Sequence, residues 1–231
     1  RRAAGEMLRR VADGLPQADA ERRIWGGTFH GIGTRLLRIL GKSIGINTRF
    51  TIFDQGDAED LMGQLCREME LGKGDKGFPK KRGCLSIHSY AVNARLPLGE
   101  AIESQFPQYV SYVEPLRELS QAYTERKARL NVFDYDDLLI KWCELLDHPQ
   151  TGSAIRDRFD CVLVDEYQDT NSVQAGLLRS LCPDGRGLTV VGDDAQSIYS
   201  FRAATIRNIL DFPEQFPGTR VVTLEQNYRS T

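Results

Sequence analysis

Residues 161–164, 188–191 and 220–224 are short apolar runs without period-two alternation, and a helical pattern precedes each of them. Alternation marks a strand with one wet face, whereas an unbroken run marks a strand covered on both. Such strands, spaced by helices, build a parallel sheet and restrict the chain to the α/β class. The expected helices span 135–146, 172–181 and 205–210. An earlier unit has the same form. Residues 24–29 (Ile-Trp-Gly-Gly-Thr-Phe) read as a strand, and Ile32, Leu36, Leu37 and Leu40 recur behind it at helical spacing. Gly41 is the expected stop of that helix. Residues 3–13 predict a further helix, with Met7, Leu8 and Val11 on one face.

The stretch 50–130 breaks the alternation. It reads as helices over 58–71, 99–105 and 109–130, the last with Leu116, Leu119 and Tyr123 on one face, and as a glycine- and lysine-rich loop over 72–83. The expected organisation is an α/β domain in two parts, 1–49 and 131–231, interrupted by an α-helical insertion over 50–130. A chain of 231 residues is long enough for this.

No apolar run approaches the ~18 residues that cross a bilayer, and no apolar stretch of a signal peptide follows the polar start. Arg1 is not a methionine and residues 227–231 end without a change in composition, so the chain is expected to be an internal part of a longer protein. None of the five cysteines forms a C-x-x-C pair and only three histidines accompany them, so a zinc site is not expected and a reducing cytoplasm is. Cys161, inside an apolar run, reads as a small buried hydrophobe. The net charge of -2 does not announce nucleic-acid binding, although a basic groove can sit on a near-neutral protein.

Two of the runs end in acids. Val162-Leu163-Val164 leads into Asp165-Glu166-Tyr167-Gln168-Asp169, and Val190-Val191 into Gly192-Asp193-Asp194-Ala195-Gln196. Ligands of open α/β sheets sit at the carboxyl ends of strands. An acid there can hold Mg²⁺ on a bound triphosphate while its neighbour orients or deprotonates a water. The plainer reading is that Asp165 and Glu166 only begin a loop. Gln196 can donate to a phosphate oxygen and accept from a water. Tyr199, Phe201 and Arg202 are the parts of a single-strand stacking platform, against the plainer reading of Phe201 as core. Tyr228 and Arg229 pair an aromatic face with a guanidinium able to reach a transferring phosphate. Gly27-Thr28-Phe29-His30 stands where a helix begins, and its N–H groups and hydroxyl favour phosphate. A lone histidine such as His30 is more often an ordinary first-turn residue than a ligand.

In order and spacing these segments resemble the UvrD/Rep/PcrA family of superfamily-one helicases. Arg2-Ala3-Ala4-Gly5-Glu6-Met7, Gly27-Thr28-Phe29-His30, Phe133-Asp134-Tyr135-Asp136-Asp137-Leu138-Leu139, Asp165-Glu166-Tyr167-Gln168-Asp169-Thr170-Asn171, Gly192-Asp193-Asp194-Ala195-Gln196-Ser197-Ile198-Tyr199 and Gln226-Asn227-Tyr228-Arg229-Ser230-Thr231 match its motifs in sequence. The resemblance covers essentially the whole chain. It implies a RecA-like P-loop NTPase sheet and an ATP- and Mg²⁺-dependent enzyme that moves 3′ to 5′ on single-stranded DNA and unwinds duplex, in repair or replication. By the same resemblance Asp165 would hold Mg²⁺ and Glu166 would activate the water. Gln196 and Arg229 would contact the γ-phosphate, Tyr228 the adenine, and Gln168 and Asp193 the nucleotide. Thr28, His30, Tyr199, Phe201 and Arg202 would face single-stranded DNA. Phe201 stands where many members carry tryptophan.

The pattern G-x-x-x-x-G-K-[ST] does not occur. Gly41-Lys42-Ser43 has its ending, but Leu36 occupies the place of the first glycine and a helix precedes it. The phosphate loop is expected before Arg1 and the second motor domain after Thr231. Lys73, Lys76, Lys80, Lys81 and Arg82 form either a solvated loop or a contact to duplex DNA. Two other readings stay open: a two-metal nuclease or polymerase built on Asp165, Glu166, Asp193 and Asp194, and a non-hydrolysing helicase-like subunit of a nuclease complex.

Overall fold

The computed structural model describes residues 24–193 and 207–223. The expected helix over 3–13 and the candidates Gln196, Tyr199, Phe201, Arg202, Tyr228 and Arg229 lie outside the described residues.

Residues 24–28 are not a strand. Gly26 and Gly27 offer nothing to pack on a sheet, and the Thr28 hydroxyl accepts from Gly31 N–H at 3.2 Å to open helix α1 (Phe29–Leu40). That helix ends at Leu40 with Gly41 as its cap, as expected, although Gly41 is not left-handed. Its φ of -57° carries the chain on into a 3₁₀ turn, Gly41–Ile44, which Gly45 at φ 77° ends. An added Cβ at Gly41 would come within 3.3 Å of Ile46, so close packing explains this glycine.

Strand β1 (Thr51–Ile52) pairs in parallel with β2 (Val132–Phe133), Thr51 lying opposite Val132. This clasp brings together the two ends of a helical stretch comprising α2 (Gln55–Glu68), α3 (Lys81–Ala94), α4 (Leu98–Gln105) and α5 (Val113–Leu130). Leu116, Leu119 and Tyr123 of α5 are buried, as their spacing predicts. Helix α3 was not expected: Lys81, Arg82 and Gly83 are its first turn rather than the end of a loop. Cys84, Ile87, His88 and Ala91 form its buried stripe at helical spacing, and the polar His88 breaks the apolar signature.

The base of this stretch holds a buried polar network. Lys127 Nζ lies 2.5 Å from Asp134 Oδ2 and 2.6 Å from Asp137 Oδ2, and Tyr123 donates to Asp134 at 2.9 Å. Asp134 and Asp137 form a reciprocal capping box that starts α6 (Tyr135–Asp147). Burial, with the charge of Asp134 nearby, pushes the carboxyls of Asp136 and Asp137 up to about 6. Asp136 accepts from Asn93 Nδ2 at 2.7 Å, and Asn93 Oδ1 accepts from Asn171 Nδ2 at 2.7 Å. Helix α3 is thereby tied to the segment that follows the acidic strand end.

Beyond α6 come α7 (Pro149–Arg156), β3 (Val162–Val164), α8 (Ser172–Leu181), β4 (Leu188–Val190), α9 (Arg207–Leu210) and α10 (Phe212–Gln215). β3 and β4 pair in parallel, Val162 opposite Leu188 and Val164 opposite Val190. The molecule is helix-rich, with two small parallel sheets among the described residues. Leu36 and Leu37 of α1 pack on Leu138, Trp142 and Leu145 of α6 and on Leu177 of α8. Val164 packs with Tyr167, Leu178, Phe212 and Phe216.

Three expectations fail here. Leu163 is 77% exposed, so β3 is covered on one face only among the described residues. Cys161 lies outside the strand and is exposed, not buried. Residues 220–223 are irregular, and Val221 and Val222 are exposed. A β-branched run favours strand only where a neighbour supplies a ladder and a packed surface. No described helix is long and apolar enough to cross a membrane.

Candidate active site

The parallel ladder sets the geometry at the end of β3. Val191 N–H donates to Val164 O at 2.8 Å and Tyr167 N–H to Val191 O at 2.9 Å, so the pairing continues past Asp165 and Glu166 and leaves both outside it. Both are exposed. Asp165 Oδ1 accepts from Glu166 N–H at 3.0 Å. Glu166 adopts φ 52°, ψ 43°, a left-handed conformation that few non-glycine residues take up. Such strain persists where surroundings over-determine it, often at functional positions. The surroundings are visible: a 3₁₀ turn, Tyr167–Asp169, follows at once, and the buried Tyr167 ring packs edge-on against Phe212 at 5.4 Å.

The turn joins the next strand end through Gln168. Its Nε2 donates to Glu166 Oε2 at 2.7 Å and its Oε1 accepts from Asp193 N–H at 3.0 Å. Gly192 passes so close that an added Cβ would lie 2.6 Å from Gln168 Oε1 and 2.7 Å from Ile209 Cδ1. Asn208 of α9 closes the far side, donating to Thr170 O at 2.8 Å. Asn171 starts α8 through a reciprocal capping box with Gln174.

Sequence reasoning placed Asp165, Glu166, Gln168 and Asp193 near one ligand, and the structure brings them together at adjacent strand ends. It did not find Asn208 or Asn93. Both are ordinary helical asparagines by sequence, and their role appears only once distant segments meet.

Thr28 and His30 form a second group on the first turn of α1. The Thr28 hydroxyl accepts within the cap and is exposed, leaving its proton free to donate. The His30 ring stands edge-on to Tyr135, centroids 5.4 Å apart. Burial lowers the His30 pKa, so the ring is neutral near neutral pH. Tyr135, 48% exposed, is an aromatic the sequence reading left without a role. Phe29 between them reaches both the α1–α6 core and the β3–β4 core.

Two exposed carboxylates at a strand end offer hard oxygen donors. Among the described residues no three His, Cys, Asp or Glu side chains gather as a metal cage. That donor set suits a cation that takes one or two carboxylates and draws its other ligands from substrate phosphate and water, as Mg²⁺ does.

The pattern of the UvrD/REP helicase N-terminal domain matches residues 1–217. The chain belongs to this family. DNA helicase II of Escherichia coli is 36% identical over 236 residues, covering 100% of this chain and 31% of that protein. The ATP-dependent DNA helicase UvrD1 of Mycobacterium tuberculosis is 38% identical over 240 residues, covering 100% and 30%. The ATP-dependent DNA helicase PcrA of Bacillus subtilis is 36% identical over 232 residues, again 100% and 30%. The chain of this UvrD/REP-type domain thus spans about a third of the length of the curated relatives it matches.

Proposed function

We propose that this chain is part of an ATP-dependent DNA helicase, a RecA-like motor segment (1–49 and 131–231) carrying a helical insertion (50–130). The observation that carries the reading is the pair Asp165-Glu166 at the end of a parallel strand, with Glu166 tied through Gln168 to the next strand end. Membership of a family whose relatives are named ATP-dependent DNA helicases supports it.

In this reading Asp165 would hold Mg²⁺, which would supply charge neutralisation at the transferring phosphoryl group. Glu166 accepts a proton from the attacking water. Gln196 and Arg229 contact the γ-phosphate, Tyr228 stacks on the adenine, and Asp193 contacts the nucleotide. Thr28, His30, Tyr199, Phe201 and Arg202 contact single-stranded DNA, with translocation 3′ to 5′ and unwinding of duplex as the output.

The test is Glu166→Gln in the full-length protein. Size and hydrogen bonding are kept while the basic carboxylate is removed. ATP hydrolysis with saturating single-stranded DNA should fall by the ~10²–10⁴ typical of losing a general base, with ATP binding retained. A drop of less than tenfold, or Mg²⁺-dependent DNA cleavage without nucleotide, overturns the assignment.

A further inference from the structure

Gln168 is 1% exposed, yet both ends of its amide are engaged. The hydrogen bonds fix which way round it sits. Reversing it would set the NH₂ against the Asp193 N–H and the oxygen against a carboxylate, losing both bonds. The acceptor end is held close to the β3–β4 ladder, whose last bonds, at Val191, lie two residues before Asp193. The donor end reaches Glu166, whose left-handed backbone points its side chain away from the ordinary strand direction. The packing leaves no slack: only a glycine at position 192 lets the β4 turn approach the amide. A side chain this enclosed is better placed to hold a neighbour than to touch a ligand.

We propose that Gln168 is a positioning residue, which fixes the Glu166 carboxylate for water activation and transmits to it the position of the Gly192-Asp193 turn. This rests on the reading of Glu166 as the general base. The bond formed is a hydrogen bond to an ionised group, and losing one of these costs about ten- to a hundredfold in rate when it operates in the transition state.

The experiment compares Gln168→Met, Gln168→Glu, Glu166→Gln and the double variant Glu166→Gln/Gln168→Met in the full-length protein. The readouts are kcat and KM for ATP with saturating single-stranded DNA, affinity for a fluorescent ATP analogue, and Tm. Gln168→Met removes both hydrogen bonds. Gln168→Glu keeps the acceptor for Asp193 N–H but sets an oxygen against Glu166, and a lowered kcat at an unchanged Tm in either variant separates positioning from folding. Both should lower kcat about ten- to a hundredfold and leave KM and analogue affinity within about twofold. Added to Glu166→Gln, Gln168→Met should cost less than about twofold more, because the group it positions is already gone.

A rise in KM with weaker analogue binding and unchanged kcat would make Gln168 a direct nucleotide contact and overturn the proposal. Multiplying losses in the double variant with a lowered Tm would make its role structural, which also overturns it. A near-silent Gln168→Met beside a strongly impaired Glu166→Gln removes this proposal alone. A weak effect of Glu166→Gln removes the general-base reading and this proposal with it.

Discussion

Replacing Lys127 with methionine tests whether the polar base of the helical stretch is held by charge. The side chain is 3% exposed and lies within 2.6 Å of one oxygen of Asp134 and one of Asp137. Methionine keeps the aliphatic length and removes the cation that both carboxylates contact. Breaking a buried pair by removing one partner costs about 3–5 kcal/mol, because the remaining charge stays buried without compensation. The penalty should depend on pH, with a sign that follows from the shifts. Asp137 already titrates at about 6, and losing a neighbouring cation raises it further while the unfolded chain is unchanged. His88, lowered to about 4 by burial first and by the charge of Lys127 second, also moves up. The folded variant therefore binds more protons than the folded parent as the pH falls from 7.5 to 5, and the penalty shrinks. Urea unfolding of both proteins should give a difference of about 3–5 kcal/mol at pH 7.5, smaller at pH 5 by at least ~1 kcal/mol, roughly one carboxylate shifted by one pH unit. A difference below ~1 kcal/mol at pH 7.5, or one that does not change with pH, would refute the charge argument.

Gly192→Ala should force the Gln168 amide or Ile209 to move, costing about 1–3 kcal/mol in stability and lowering ATP turnover more than ATP binding; an unchanged Tm and kcat would show that the turn yields without consequence. Phe201→Ala in the full-length protein should weaken single-strand affinity by about one to two decades, with basal ATPase retained and Phe201→Trp active. A large fall in Tm with unchanged DNA affinity per folded molecule would return Phe201 to the core.

Periodicity carried the fold reading where one face of an element is apolar, and lost it where polar groups serve as core. The α1, α5, α6 and α8 helices were legible because leucines recur at helical spacing on their buried faces. Helix α3 was not, because its stripe includes Cys84 and His88 and its first turn is Lys81-Arg82-Gly83. His88 is satisfied by Ser120 at 2.6 Å, a residue 32 positions away, and no local pattern announces such a partner. The supposed strand at 24–29 failed for the opposite reason. Its apolar residues satisfied a propensity rule, while Thr28 carried a stronger local instruction to begin a helix.

The site was legible to the extent that chemistry is written in consecutive residues. Two acids after an apolar run can be read directly, and the structure sets them at the end of a parallel strand. What could not be read is how such an acid is aimed. That depends on a left-handed Glu166, on an amide two residues later, and on a peptide N–H 25 residues beyond it. The glycine of Gly192-Asp193-Asp194 illustrates the difference. By sequence it is a turn residue ahead of two acids, open to a metal-site reading. In the structure it is the gap through which the second strand end reaches the first, since any side chain there would collide with Gln168. The motif is short because its partners lie in another motif, and the hydrogen bond between Gln168 and Asp193 makes the two a single unit. A substitution in either segment should then be felt in the other, which is why Gly192→Ala and Gln168→Met are expected to fail in the same kinetic term.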